Sequence, residues 1–145
     1  MSRLFLILLA AVAISSSGMI LSPLAQAAGD VKDAHVIAYY LHGTFRCPTC
    51  YKLEQYSKEA IENNFKDALA SGKLEFKVVN VEDKGNEHFN KDYQLYTKSL
   101  ILSLVKDGKE TKWINLDKIW EYVDNKQRFL AYVKAEAADL LKEAK

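Results

Sequence analysis

Residues 36–50 read VIAYYLHGTFRCPTC and contain both cysteines of the chain. The first six, residues 36–41, form a continuous apolar and aromatic run of strand length, which is typical of a strand covered on both faces in a mostly parallel sheet. The next five predict a loop, and the motif Cys47-Pro48-Thr49-Cys50 then begins a stretch with helical periodicity. This order places the motif at the carboxyl end of a parallel strand, where α/β sheets hold their sites.

The motif itself predicts an activated cysteine. Pro48 suits the first helical position, where its missing N–H costs nothing, so Cys47 is predicted to be the N-cap. There its sulfur faces free backbone N–H groups and the positive end of the helix dipole, which favour thiolate over thiol, and Arg46 adds a positive charge next to it. Cys50 lies one turn further along the predicted helix, a position from which its sulfur can attack a mixed disulfide at Cys47. The Cys47–Cys50 disulfide is therefore expected to be redox-active.

The cysteine pair has two other interpretations. A purely structural disulfide is disfavoured, because closing so short a loop removes little chain entropy. A zinc or copper carrier that uses His42 together with the two cysteines stays an alternative, although three ligands fall short of the four of a closed zinc site, and no metal is expected. His42 is instead a candidate for proton transfer or for stabilising the thiolate.

The rest of the chain predicts a β-α-β-α-β-β-α order. A crossover between the first two strands makes them parallel, and the Asp107-Gly108 hairpin signal makes the last two antiparallel. The fold class is thus α/β, a four-stranded mixed sheet flanked by three main helices. The predicted elements after the motif are a helix to about residue 71, a strand at 74–81, a turn at 82–86, a helix at 87–96, strands at 99–105 and 110–114, and a helical region at 116–144 with a break at 124–125.

These features together resemble the thioredoxin superfamily. The resemblance is carried by the strand at 36–41, the Cys-Pro-x-Cys motif that opens a helix, the strand at 74–81 with its acidic end, and the hairpin at 102–109. It covers essentially all of the chain after residue 27, and the motif is similar to the glutaredoxin variant. The resemblance implies a thioredoxin-like fold in which Cys47 is the nucleophile and Cys50 resolves, with no cofactor other than the redox-active disulfide.

The sequence departs from the family's pattern in two places. Thioredoxins carry a cis-proline before the third strand, but Pro48 is the only proline after residue 27, and the equivalent position falls near Ser99 or Leu100. A non-proline cis bond there would be costly. Ser99 could hydrogen-bond near the sulfurs, although an ordinary strand start is the favoured interpretation.

The other departure lies just ahead of the motif. Arg46 stands where thioredoxins have a tryptophan, and Leu41 stands in place of their buried acid. Glu82, Asp83 or His42 would then have to assist Cys50, or nothing does. The two tryptophans of the chain, Trp113 and Trp120, are interpreted as core or helix-face aromatics.

The amino-terminal residues predict a signal peptide at 1–27 and a thioredoxin-like domain at 28–145. Arg3 is followed by an apolar run at 4–14, and residues 24–27 read LAQA, the small-x-small pattern that signal peptidase accepts, so cleavage is predicted after Ala27. An uncleaved membrane anchor is the less favoured alternative, since residues 4–24 approach the length of a membrane span. A periplasmic or secreted location follows.

Charge and composition limit the classes of partner that are expected. The formal net charge is +1 and there is no stripe of lysine and arginine, so no nucleic-acid partner is expected. The predicted function is an exported thiol–disulfide oxidoreductase, an enzyme acting on protein thiols or disulfides. A reductase would need a membrane donor of electrons and an oxidase an acceptor, and the sequence leaves the direction open. A non-catalytic interaction module with the same fold is the remaining alternative.

Overall fold

The computed structural model describes residues 34–144, so the predicted signal segment at 1–27 lies outside the described residues. Four strands form one mixed sheet in the order β2-β1-β3-β4. β1 is parallel to β2, while β3 is antiparallel to both β1 and β4. The predicted four-stranded mixed sheet is therefore confirmed. The strands are β1 (His35–His42), β2 (Leu74–Asn80), β3 (Ser99–Lys106) and β4 (Lys109–Asn115).

Five helical segments lie among the described residues, and none of them is long and apolar enough to cross a membrane. The helix predicted to reach residue 71 is broken at Phe65, after two asparagines, which are poor helix formers. The helix predicted at 87–96 is shorter, because Gln94 adopts a left-handed φ of 51° soon after its end. The segments are α1 (Pro48–Asn64), α2 (Lys66–Ala70), α3 (His88–Asp92), α4 (Ile119–Tyr122) and α5 (Lys126–Glu143).

The sheet buries both of its faces. Alternate residues of a strand point to opposite faces, and β1 divides its side chains accordingly. Val36, Ala38 and Tyr40 join the main core beneath α1 and α5, whereas Leu41 belongs to a smaller cluster beneath α3. Helices on both faces explain why residues 36–41 read as a continuous apolar run.

The connections carry the turn chemistry that the sequence indicates. Asp107 and Gly108 have φ values of 52° and 72°, the positive pair that a tight two-residue hairpin between β3 and β4 requires. Leu41 lies opposite Ser99 in the β1–β3 register. The end of β1 and the start of β3 therefore meet at one edge of the sheet, and α1 begins from the loop that follows β1.

Candidate active site

Cys47 occupies the N-cap of α1, as predicted. Its backbone is extended, with φ −87° and ψ 165°, and Pro48 follows it in the first turn of the helix. The Sγ atom accepts a hydrogen bond from the backbone N of Cys50 at 3.3 Å. Because the first N–H groups of a helix lack intrahelical partners and carry the positive end of its dipole, a negative charge on this sulfur would be stabilised.

The two cysteines differ in accessibility. Cys47 is half-buried, whereas Cys50 is 1% exposed. Their Cα atoms are 5.1 Å apart, and the pair forms a disulfide in the structure. An external thiol or disulfide can therefore approach Cys47, while Cys50 is shielded and lies within reach of Cys47. The attacking role of Cys47 and the resolving role of Cys50 stay predictions.

Tyr40 lies directly beneath the motif. Its side chain is fully buried, and its hydroxyl donates a 2.7 Å hydrogen bond to the carbonyl oxygen of Cys50. Burial raises the pKa of Tyr40 to about 12, so the phenol stays protonated and remains a donor. This contact ties β1 to the first turn of α1 and fixes the backbone of Cys50. This role is not evident from the motif alone, although the alternation along β1 places Tyr40 on the face of the sheet that α1 covers.

Arg46 is engaged along the helix. Its Nη2 donates to the Oε2 atom of Glu54, and its guanidinium carbon lies 4.4 Å from the centre of the Tyr51 ring. The Arg46 and Glu54 side chains are only 15% and 27% exposed. The positive charge that the sequence places beside Cys47 therefore has a carboxylate partner two turns into α1, a partner that the sequence analysis did not identify.

The three side chains that could assist Cys50 contact other groups. His42 is the last residue of β1, and its Nδ1 lies 2.8 Å from the carbonyl oxygen of Gly43. The Glu82 carboxylate accepts from the backbone N of Thr44 at 3.0 Å, and hydrogen bonds from Thr44 lower the pKa of that exposed carboxyl. Asp83 accepts from the side chain of Asn80. Within residues 34–144, none of these three groups has a hydrogen bond to Cys50.

The loop before β3 is held in place by two side chains. Ser99 is buried and donates from its Oγ to the carbonyl of Thr97 at 3.0 Å. Trp120 donates from its indole Nε1 to the carbonyl of Lys98 at 2.9 Å. All peptide bonds between residues 34 and 144 are trans. Trp120 is thus a half-buried packing residue, as the sequence predicts, and its hydrogen bond also anchors the loop at the position where thioredoxins have their cis-proline. Trp113 packs against Tyr93 in the smaller cluster.

An open depression lies at this edge of the sheet. Residues of the loop after β1 and of the loop before β3 form its walls, among them His42, Gly43, Tyr96 and Lys98. Across residues 34–144, no three histidine, cysteine, aspartate or glutamate side chains are grouped as metal ligands. His42 and the two cysteines thus do not form a ligand cluster here.

The strand order and the position of the cysteine pair together identify the architecture. A parallel β1–α1–β2 unit is followed by an antiparallel β3–β4 pair, and the Cys-x-x-Cys motif opens α1. The fold is thioredoxin-like. The resemblance that the sequence suggested is therefore confirmed at the level of the fold.

No family model matches the chain, and no curated protein matches it. Three solved structures that are similar to it are thioredoxins. One, from Fasciola hepatica, shares 15% identity with a TM-score of 0.41, and the match covers 77% of this chain and 82% of that one. Thioredoxin O2 from Arabidopsis thaliana, in its oxidized state, shares 13% identity with a TM-score of 0.40, covering 66% and 76%. Thioredoxin f2 from Chlamydomonas reinhardtii shares 12% with a TM-score of 0.36, covering 68% and 84%.

Proposed function

We propose that this chain is an exported thiol–disulfide oxidoreductase that exchanges disulfides with protein partners through Cys47 and Cys50. The observation that carries the proposal is the placement of a half-buried sulfur at a helix N-cap beside a fully buried partner sulfur. An N-cap position lowers the pKa of a cysteine, and the thiolate is the form that attacks disulfides. The export part rests on the signal-peptide pattern of residues 1–27.

The exchange proceeds in two balanced steps. In the reducing direction, the Cys47 thiolate attacks one sulfur of a partner disulfide, the partner S–S bond breaks, and its other sulfur leaves as a thiolate that takes up a proton. Cys50 loses its proton and attacks the Cys47 sulfur of the mixed disulfide, which releases the second partner sulfur. The partner is thereby reduced by two electrons, and the dithiol of the chain is oxidised to the Cys47–Cys50 disulfide.

The reverse sequence oxidises a partner dithiol and leaves Cys47 and Cys50 reduced. Continued turnover then needs a second thiol or disulfide protein, a membrane electron donor for reduction or a membrane acceptor for oxidation. The buried position of Cys50 serves both directions, because it shields the reduced Cys50 from a partner disulfide and directs a partner thiolate to Cys47 when the pair is oxidised.

Exposed aromatic side chains favour protein partners. Phe45 and Tyr51 flank the motif in sequence and are 78% and 56% exposed, and Tyr96, in the loop before β3, is 98% exposed. Large apolar groups clustered on a surface mark sites of protein contact, and tyrosine presents both an apolar ring and a polar tip. A polypeptide segment that brings a cysteine to Cys47 would find exposed aromatic rings at Phe45 and Tyr51, which precede and follow the motif in sequence.

The proposal is tested by comparing the native protein with its Cys47→Ser variant, both recovered from the exported fraction of cells that express the full sequence. Reduction of insulin disulfides by a dithiol, followed by turbidity, should be accelerated by the native protein and not by the variant. Equal rates for the two proteins would contradict the redox assignment. Absence of the chain from the exported fraction would contradict the export assignment alone.

A further inference from the structure

The Arg46–Glu54 pair lies along the face of α1 that begins at the reactive sulfur. Positions 47, 51 and 54 are spaced at four and three residues, so they share one face of the helix. Glu54 is seven positions beyond Cys47, about 10 Å along the helix axis. The Arg46 side chain starts next to Cys47 and ends on Glu54 with its guanidinium over the Tyr51 ring. The positive charge of Arg46 therefore lies along α1, beside Glu54 and Tyr51, and away from the Arg46 backbone.

We propose that Glu54 is a positioning residue that controls how strongly the Arg46 charge stabilises the Cys47 thiolate. With the carboxylate in place, the guanidinium is held on α1 and its charge is partly neutralised. Without this carboxylate, the flexible Arg46 side chain is released, and the sulfur of the neighbouring residue, Cys47, is a group beside it that can become an anion. This inference rests on the proposed function for its catalytic consequence, whereas the effect on the sulfur can be measured without any turnover.

A second observation supports the release of Arg46 toward the sulfur. The Nε–H of Arg46 is buried and, within the described part of the chain, has no hydrogen-bond partner. A buried donor without an acceptor is unfavourable. The structure holds the disulfide, in which neither sulfur is charged. Reduction creates an anionic acceptor one residue away, so an arginine that Glu54 no longer holds gains a hydrogen-bond acceptor when it turns toward Cys47.

The groups that face the guanidinium are few. From α1 they are Glu54 and the Tyr51 ring, and from β1 the Tyr40 ring, whose centre is 5.9 Å away. Other titratable groups at this edge of the sheet include His42, Glu82 and Lys98, and the Glu82 carboxylate accepts a hydrogen bond from the backbone of Thr44. Glu54 is thus the carboxylate that opposes Arg46, and its removal changes one electrostatic contact.

The test is the Cys47 pKa of the reduced full-length protein, measured from the rate of alkylation against pH. Glu54→Gln should lower this pKa by about half a unit to one unit, because an opposite charge close to a titrating group shifts it by amounts of this order. Glu59→Gln is the matched control. Glu59 also lies on α1, pairs with Lys126 and has a side chain 28% exposed, against 27% for Glu54. This control should leave the pKa unchanged.

A double-variant cycle separates positioning from a direct effect of charge. In an Arg46→Gln background, Glu54→Gln should have no effect on the Cys47 pKa, because the group that Glu54 positions is gone. An equal shift in both backgrounds would show that Glu54 acts directly through space and would overturn the proposal, as would an unchanged or raised pKa in Glu54→Gln alone. Should Glu54→Gln fail to fold, Glu54→Asp is expected to give a smaller shift in the same direction, and no shift would count against the proposal.

These outcomes are independent of the proposed function. A Cys47 that titrates as expected in all variants but supports no exchange would remove the enzyme assignment and leave the positioning role of Glu54 intact. A redox-active protein whose Cys47 pKa does not change when Glu54 is substituted would remove the positioning role of Glu54 and leave the enzyme assignment intact.

Discussion

Cys50→Ser is expected to turn the chain from a turnover catalyst into a trap for its partners. The variant keeps the half-exposed Cys47 at the N-cap, so the first attack on a partner disulfide still occurs. It lacks the buried sulfur that would release the partner, so the mixed disulfide should accumulate while turnover falls to the uncatalysed background. Non-reducing electrophoresis of the variant after incubation with a disulfide-containing protein should show a covalent complex, and a dithiol should separate it again by reducing the mixed disulfide.

The matched control is Cys47→Ser, which keeps Cys50 and should give no complex, because the Cys50 side chain is 1% exposed. The reverse pattern, a complex through Cys50 and none through Cys47, would exchange the two roles. Complexes of similar yield from both variants would show that the difference in burial does not govern attack.

Phe129→Ala is expected to cause the largest loss of stability among the single substitutions considered. Phe129 is fully buried where α5 packs on α1, and its ring meets that of Tyr56 edge-on at 5.5 Å. Truncating a buried phenylalanine removes apolar burial and leaves a cavity, at a cost of about 3–5 kcal/mol. Because small domains are stable by only about 5–15 kcal/mol, much of the stability would be lost.

Phe45→Ala provides the control for this substitution, since it removes the same atoms from a side chain that is 78% exposed. Urea unfolding followed by circular dichroism should show a change of less than about 0.5 kcal/mol for Phe45→Ala. A similar loss in both variants would contradict the placement of Phe129 in the core between the two long helices.

The parts of the fold that sequence could predict are those set by local chemistry. The apolar run of β1, the proline that follows Cys47 and the Asp107-Gly108 turn each constrain the backbone within a few residues. The N-cap position of Cys47 follows from the same local reasoning and is confirmed. The parallel direction of β1 and β2 then follows from the rule that a strand–helix–strand crossover gives parallel strands.

The features that sequence could not predict depend on side chains meeting across elements. The hydroxyl of Tyr40 reaches the Cys50 carbonyl only because α1 packs on β1. Arg46 is long and flexible, and its choice of Glu54 depends on a rotamer that spacing does not specify. The break at Phe65 is a different case, because two asparagines weaken the helix there while the apolar periodicity of the sequence continues through it.

Contacts at the shared edge of the sheet hold the backbone around the motif in place. Trp120 and Ser99 hold the loop before β3 through the carbonyls of Lys98 and Thr97. Tyr40 sits beneath the motif on β1, one residue before Leu41, which stands where thioredoxins have a buried acid. The phenol supports the backbone of Cys50 and, because burial raises its pKa to about 12, it stays protonated at neutral pH and does not serve as a base toward the Cys50 thiol.

The pKa of Cys47 tests the central claim most directly. Cys50→Ala leaves Cys47 as the only cysteine, and its alkylation rate against pH reports the ionisation of that single sulfur. A helix N-cap position predicts a pKa clearly below the unperturbed value of about 8.5. A pKa at or above about 8.5 would show that the helix does not activate this sulfur and would contradict the account.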